Sequence, residues 1–154
     1  MSPCADAAIF SLPEVPVPLE YDWLTELWEA AVRHTHHFLR EEAIVALRQQ
    51  VRDVYLPAVR LVVVRREDGL AVGFMGYDAT MVQMLFVHPR YTGRGVGRRL
   101  LDYALGKNIR RVDVNEQNPS ALAFYQHVGF VVVGRSKTDA QGNPYPLLHL
   151  EARL

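Results

Sequence analysis

Glycine takes every second position in the stretch Thr92-Gly93-Arg94-Gly95-Val96-Gly97-Arg98, between a run that reads as a strand and one that reads as an amphipathic helix. Glycine costs backbone entropy and weakens helices, so three at one junction point to a need for bare backbone. The first amides of a helix lack internal partners and gather at its positive end. With side chains stripped away, a phosphate can sit directly on those N–H groups. Arg94, Arg98 and Arg99 can add charge, and a pyrophosphate is the matching guest.

Other phosphate motifs fit less well. A P-loop needs G-x-x-x-x-G-K-[ST], and no lysine stands at this helix start. A dinucleotide fold needs G-x-G-x-x-G after the first strand of a βαβ unit; here the spacing is G-x-G-x-G and the preceding strands read as hairpins. Close helix–strand packing would explain one glycine, not three. The acyl-CoA turn fits in both spacing and position.

The elements that must hold this turn can be read from periodicity. A short strand is expected around Ala8 to Leu12, then an extended connector carrying three prolines in "LPEVPVPLE". Leu24, Leu27, Trp28 and Ala31 form one helical stripe. A second helix is predicted from Glu42 to Tyr55, with Ile44, Leu47, Val51 and Val54 inward and Pro57 helping to end it. Three strand-like runs come next, "VRLVVVRRE", "LAVGFMGYD" and "MVQMLFVHP", with Asp68-Gly69 turning between the first two.

After the glycine turn, the helix face is set by Val96, Leu100, Leu101, Ala104 and Leu105. "IRRVDVN" reads as a strand, and "NPSALAFYQHVGF" as a helix capped by Asn118 with Pro119 at its first position. The tail predicts two strands joined by a polar loop around Asp139 to Asn143. The whole is an α/β (α+β) domain over 1–154: a mixed, mostly antiparallel sheet of six or seven strands flanked by about four helices.

These residues carry a resemblance. "LFVHPRYTGRGVGRRLL" resembles motif A of the GNAT superfamily of N-acetyltransferases, [QR]-x-x-G-x-[GA], and "NPSALAFYQHVGF" is similar to that family's N-x-x-A-x-x-F-Y-x-x-x-G-F. Both in order, with a strand between them, are specific. "HTHHFL", "VNEQN" and "GRS…D…G-NPYPLL" extend the likeness to the small bacterial YjaB-type branch, over nearly the whole chain. One departure is Thr92, where the family usually has Gln or Arg; a cradle made mainly of backbone amides survives that change.

The resemblance implies a V-shaped splay between the strand of Met84 to Val87 and that of Arg111 to Val114, entered by the pantetheine arm of acetyl-CoA. Its cofactor contacts would come from Leu85, Phe86 and Val87, from Thr92, Gly93, Arg94, Gly95, Val96, Gly97 and Arg98, and from Asn118, Ala121 and Phe124. An amide near Leu85 or Phe86 would stabilise the oxyanion. Transfer would be direct, in a ternary complex, since no nucleophile presents itself. Tyr125 is the candidate catalytic acid for the CoA thiolate. It lies about 100° from Phe124 around the helix, so Phe124 can enter the core while Tyr125 faces the gap. Asn118 caps this helix and can also reach the pantetheine.

The general base stays open. Relatives often carry a carboxylate on the strand before motif A, where this chain has Gln83; a water chain, Glu116 or a histidine is left to act, or the amine arrives neutral. Asn115 and Glu116 stand where they can hold such a water. By resemblance Thr35, His37 and Phe38 shape the acceptor pocket, with core packing of Phe38 and Leu39 as the competitor. Tyr145 faces either the acceptor or a subunit contact. His34 and His37 at i, i+3 on a helix would make a metal pair, but nothing completes a site and no metal is expected.

The acceptor is a small-molecule amine or a peptide lysine. The alternative from another class is a non-catalytic acyl-CoA sensor, which the missing carboxylate at Gln83 would suit. Composition is ordinary for a soluble globular protein: 49% hydrophobic and 22% charged residues. With Lys+Arg and Asp+Glu both 17, zero net charge argues against nucleic acid or an anionic membrane as the main partner. A single cysteine, Cys4, permits no internal disulfide. With no spanning run and no leader, a cytoplasmic location is expected. A homodimer through the C-terminal strands is common in the family.

Overall fold

The computed structural model describes residues 10–153, so Cys4 and the first half of the strand expected at Ala8 to Leu12 lie outside the described residues. From residue 10 onward the chain forms no regular strand but runs along the sheet's edge. Ser11 N–H donates to the Arg65 carbonyl at 2.8 Å, and Glu14 bridges Val63.

Six strands form one sheet in the order β1-β2-β3-β4-β6-β5. They are β1 (Arg60–Arg65), β2 (Ala71–Tyr77), β3 (Val82–Val87), β4 (Arg111–Asn115), β5 (Phe130–Ser136) and β6 (Leu147–Ala152). Only β3 and β4 run parallel; every other neighbouring pair is antiparallel. Asp68 and Gly69 make the β1–β2 turn, with Gly69 at φ 92° and Asp68 Oδ1 accepting from Leu70 N–H at 3.1 Å.

Helices α1 (Tyr21–Thr35), α2 (Glu41–Gln50), α3 (Val96–Gly106) and α4 (Pro119–Val128) cover the sheet. Alternation along each strand sorts the core into two layers. Val62, Val64, Met75, Val112 and Val114 pack with Val96, Leu100 and Leu101 of α3 and Val128 of α4. On the other face Leu61, Val63 and Phe74 pack with Leu24, Leu27 and Trp28 of α1. Strand β2 is buried throughout because helices cover it on both faces.

The second helix departs from expectation. It begins at Glu41, and after Gln50 the chain widens into a π turn, Val51–Tyr55, before a last turn at Leu56–Ala58. Pro57 therefore lies within the helical run instead of ending it. Its ring would crowd the carbonyl one turn earlier, and the wider turn gives that carbonyl room. The extra residue rotates Val54 outward, to 55% exposure, while Ile44 and Val51 stay buried as expected. Among the described residues no helix is long and apolar enough to cross a membrane.

Candidate active site

The three glycines do different jobs. Gly93 and Gly95 have φ of 74° and 85°, a left-handed backbone that side chains resist. Gly95 is the N-cap of α3, so the helix begins at Val96, inside the glycine run. Among the described residues, chain neighbours aside, no atom stands within 4 Å of where a Cβ would go at either residue. Gly97, by contrast, faces the Phe124 ring, whose Cζ would lie 3.3 Å from an added Cβ.

The gap beside this turn comes from strand pairing. Val82 opposite Val112 is the one registered pair between β3 and β4, so the strands part beyond it. His88 N–H donates to the Val72 carbonyl at 2.8 Å, in register with Phe74 opposite Phe86. Successive residues of an antiparallel pair alternate between facing the partner strand and facing away. Met84 and Phe86 therefore turn their backbone groups to β2, while Leu85 and Val87 turn theirs to the gap. Of the two candidate amides, Leu85 is the one available there.

A cavity of about 370 Å³ opens on the β3 side of the gap. Leu85, Phe86 and Val87 form its floor, and Thr92, Gly93, Gly95, Gly97 and Arg98 its mouth. Asn118, Ala121, Phe124 and Tyr125 of the α4 segment form one wall; Ala31, His34, Thr35 and His36 form the other. None of its lining residues is Asp or Glu. Bare amides, a guanidinium and no carboxylate fit a pyrophosphate at the mouth.

The arginines divide. Arg98 lines the mouth and pairs with Asp102 at 2.9 Å. Arg94 stacks its guanidinium on Tyr91, 5.7 Å from the ring centre, and Arg99 reaches the Phe10 and Ser11 carbonyls. The Val96 side chain is fully in the core and can offer a site only its amide.

The expected division between Phe124 and Tyr125 is reversed in degree. Phe124 is half-buried on the cavity wall, against Gly97 and Val87; Tyr125 is the deeper ring, 6% exposed and edge-on to Phe124 and Phe130. Tyr125 still lines the cavity, and no hydrogen bond of its hydroxyl is found among the described residues. Burial pushes its ionisation well above the ordinary phenol range, so it is protonated at neutral pH. Asn118 is buried and caps α4 as predicted, its Oδ1 accepting from Ala121 N–H at 3.2 Å.

Beyond α1 an adjoining cavity is lined by His34, Thr35, His37, Phe38, Gln117 and Asn118, among others. Phe38 packs against His36 and Tyr145, which draws Tyr145 into this cluster. Helix α1 stops at Thr35, so His34 and His37 do not share a helix face. Glu116 does not enter the gap: Arg135 Nε holds it at 2.5 Å and, with its charge, keeps the carboxyl below its usual range. Asn115 Oδ1 is turned to Gln117 N–H at 3.0 Å.

Of two further wall residues, Tyr91 carries no signal of a role in the sequence, and His36 only that of a histidine left open as the base. His36 sits one position from His37, and only the end of α1 decides which of them turns to the gap.

Residues 57–132 match the family profile described as "Acetyltransferase (GNAT) domain". The peptidyl-lysine N-acetyltransferase YjaB of Escherichia coli is 42% identical over 132 residues, 85% of this chain and 89% of its own. The chain belongs to the GNAT acetyltransferase family. The solution structure of apo-form YjaB from Escherichia coli superposes with a TM-score of 0.87 at 38% identity, covering 94% of this chain and 98% of that one. A more distant GNAT fold is the PaiA N-acetyltransferase of Thermoplasma acidophilum, solved in complex with coenzyme A. Its TM-score is 0.73 at 20% identity, covering 92% of this chain and 98% of that one. In GNAT terms the first signature is the mouth of the cavity, and the second is α4 with its cap and the start of β5.

Proposed function

We propose that the protein moves an acetyl group from acetyl-CoA directly to a primary amine, with both substrates bound at once. The observation that carries this reading is the single gap between β3 and β4, with bare amides at its mouth and a protonated phenol on its wall. Acetyl-CoA supplies the activated acetyl group. The amides of Gly93 to Gly97 and the Arg98 guanidinium would hold the pyrophosphate. Leu85 and Val87 would pair with the pantetheine as a strand does, and the Leu85 amide would donate to the carbonyl oxygen that becomes negative. Tyr125 would give its proton to the departing sulfur.

On the acceptor side Thr35, His37 and Phe38 would shape what enters through the adjoining cavity. A peptide lysine is the favoured acceptor, because the YjaB relatives are named peptidyl-lysine N-acetyltransferases. A small-molecule amine is the other. One acetyltransferase domain spans 1–154 in this reading, and it works in the cytoplasm with the acetyl-CoA pool. The homodimer would form through β5, an outer strand whose Val131, Val132 and Val133 are 40%, 43% and 44% exposed.

Thermal unfolding with acetyl-CoA, CoA, NAD and ATP tests the first step. Ligand at a hundred times its dissociation constant adds about 2.7 kcal/mol. The reading requires stabilisation by the CoA species and turnover with a lysine peptide or an amine panel. Stabilisation by NAD or ATP alone sinks it.

A further inference from the structure

An alkyl amine reaches an enzyme at neutral pH as an ammonium ion and must lose a proton before it can attack. The family's usual carboxylate is absent. Gln83 donates to Asp78 Oδ2 at 2.6 Å, and Glu116 is held by Arg135. Among the described residues no Asp or Glu lines the gap or the adjoining cavity. The side chains there with a basic lone pair are histidines, and His36 is the one held in a defined state.

Thr35 sets that state. Its hydroxyl is 2.9 Å from the Ala31 carbonyl, one helical turn back, and 2.7 Å from His36 Nδ1. A hydroxyl has one proton, and the Ala31 carbonyl can only accept it. With that proton directed at the Ala31 carbonyl, the oxygen meets Nδ1 with a lone pair and Nδ1 carries the hydrogen. That leaves the lone pair on Nε2, for which no hydrogen bond is found among the described residues.

The ring cannot easily turn away. His36 is the C-cap of α1, its N–H donating to the Val32 carbonyl at 2.7 Å and its carbonyl accepting from Leu39 N–H at 3.0 Å. The Phe38 ring packs 5.3 Å from the imidazole.

We propose that His36 is the general base of the transfer, taking the ammonium proton on Nε2, and that Thr35 is the positioning residue that fixes its tautomer. The proposal rests on the acetyl-transfer reading above. Nε2 gains the proton, and the amine nitrogen uses the freed electron pair to bond the acetyl carbon. The C–S pair leaves with sulfur, which takes the Tyr125 proton; the second nitrogen proton restores the phenol. The sum is an amide, CoA and one proton carried away from His36.

The surroundings suit the role. Burial, with a smaller push from His37, lowers the pKa of His36, so the ring is neutral and ready at pH 7. The titratable groups around it are His34 and His37 on its own segment, Tyr91, Arg98 and Tyr125 across the gap, and Tyr145 behind Phe38. The charge it gains lies at the negative end of α1, which favours a cation there.

The test joins kinetics to a spectrum. In wild type, kcat/KM should fall as pH drops below the ordinary histidine range. In His36→Ala, kcat at pH 7 should fall about 100-fold, recover in part with added imidazole, and approach wild type as pH rises toward the amine pKa. Thermal stabilisation by CoA should be unchanged in that variant. Long-range 1H–15N correlation on the wild-type protein should find the hydrogen of His36 on Nδ1. His36→Ala turning over within about threefold of wild type, or a loss that neither imidazole nor pH relieves, overturns the base. An Nε2–H tautomer overturns it too, and that measurement decides if the variant fails to fold. Wild type that CoA does not stabilise would instead bring down the acetyl-transfer reading, and His36's role with it.

Discussion

The edge of the Phe124 ring stands over Gly97: a Cβ on that glycine would lie 3.3 Å from Phe124 Cζ and 3.7 Å from Val87 Cγ2. The first turn of α3 and the wall of α4 thus meet across the mouth of the gap with no width to spare. An added methyl asks the ring to give by a few tenths of an ångström, which a half-buried ring can do. Against that, Gly→Ala inside a helix gains up to about 1 kcal/mol. Gly97→Ala should therefore leave the apo protein as stable or more so, while CoA stabilises it less. Melting temperatures with and without CoA decide; a parallel loss of both would mean that Gly97 only serves the fold.

Gly95 makes the opposite prediction. Space around it is open, so only its backbone angle, φ 85°, stands in the way of a side chain. A left-handed alanine costs about 1–2 kcal/mol. Gly95→Ala should lower the apo melting temperature, by about 2–4 °C per kcal/mol in a chain of this size, and Gly95→Asn should lower it less. An alanine variant as stable as wild type would show that the turn relaxes into another conformation.

Local rules explain what is readable in the sequence. The stripe of Leu24, Leu27, Trp28 and Ala31 and the Asn118-Pro119 cap need only neighbours within one helix, and both stand as read. The splay of β3 from β4 is readable only through the family likeness. Other features depend on distant partners. Spacing puts Phe124 and Tyr125 about 100° apart but does not say which turns deeper; Gly97 and Phe130 decide it. Nothing near Glu116 announces that Arg135, across 19 residues, will take its carboxylate. His36 and His37 differ only in where α1 stops, and Val54 escapes the helical pattern because a π turn breaks the 3.6 period.

Tyr125 separates chemistry from packing. Its ring is wedged between Phe124 and Phe130, whereas no hydrogen bond of its hydroxyl to another described residue is found. Tyr125→Phe keeps the ring and breaks no hydrogen bond to another described residue, so stability should change by no more than about 1 kcal/mol. Loss of a positioned acid should lower kcat by about 10²–10⁴. Since burial raises its ionisation, the phenol should add no alkaline limb to the wild-type pH profile below the ordinary tyrosine range. Full activity in the phenylalanine variant would remove Tyr125 from the mechanism.

Asp78, at the turn between β2 and β3, predicts an acid response. It accepts from Thr80 N–H at 2.7 Å, from the Thr80 hydroxyl at 2.8 Å and from Met81 N–H at 2.9 Å, with Gln83 on its other oxygen. The Thr80 bonds lead in drawing the carboxyl from 3.8 to about 2. The folded pKa is therefore below the unfolded one, and the unfolded chain binds more protons between those values. Stability from this group is complete above about pH 4 and drains away toward pH 2. The turn is partly open to water, so about 1 kcal/mol is at stake, short of the full linkage value. Asp78→Asn should cost about that much at pH 7. In urea titrations the difference from wild type should shrink as pH falls through this window. A difference that stayed constant would place the stabilisation in the shape of the turn and not in the carboxylate's charge.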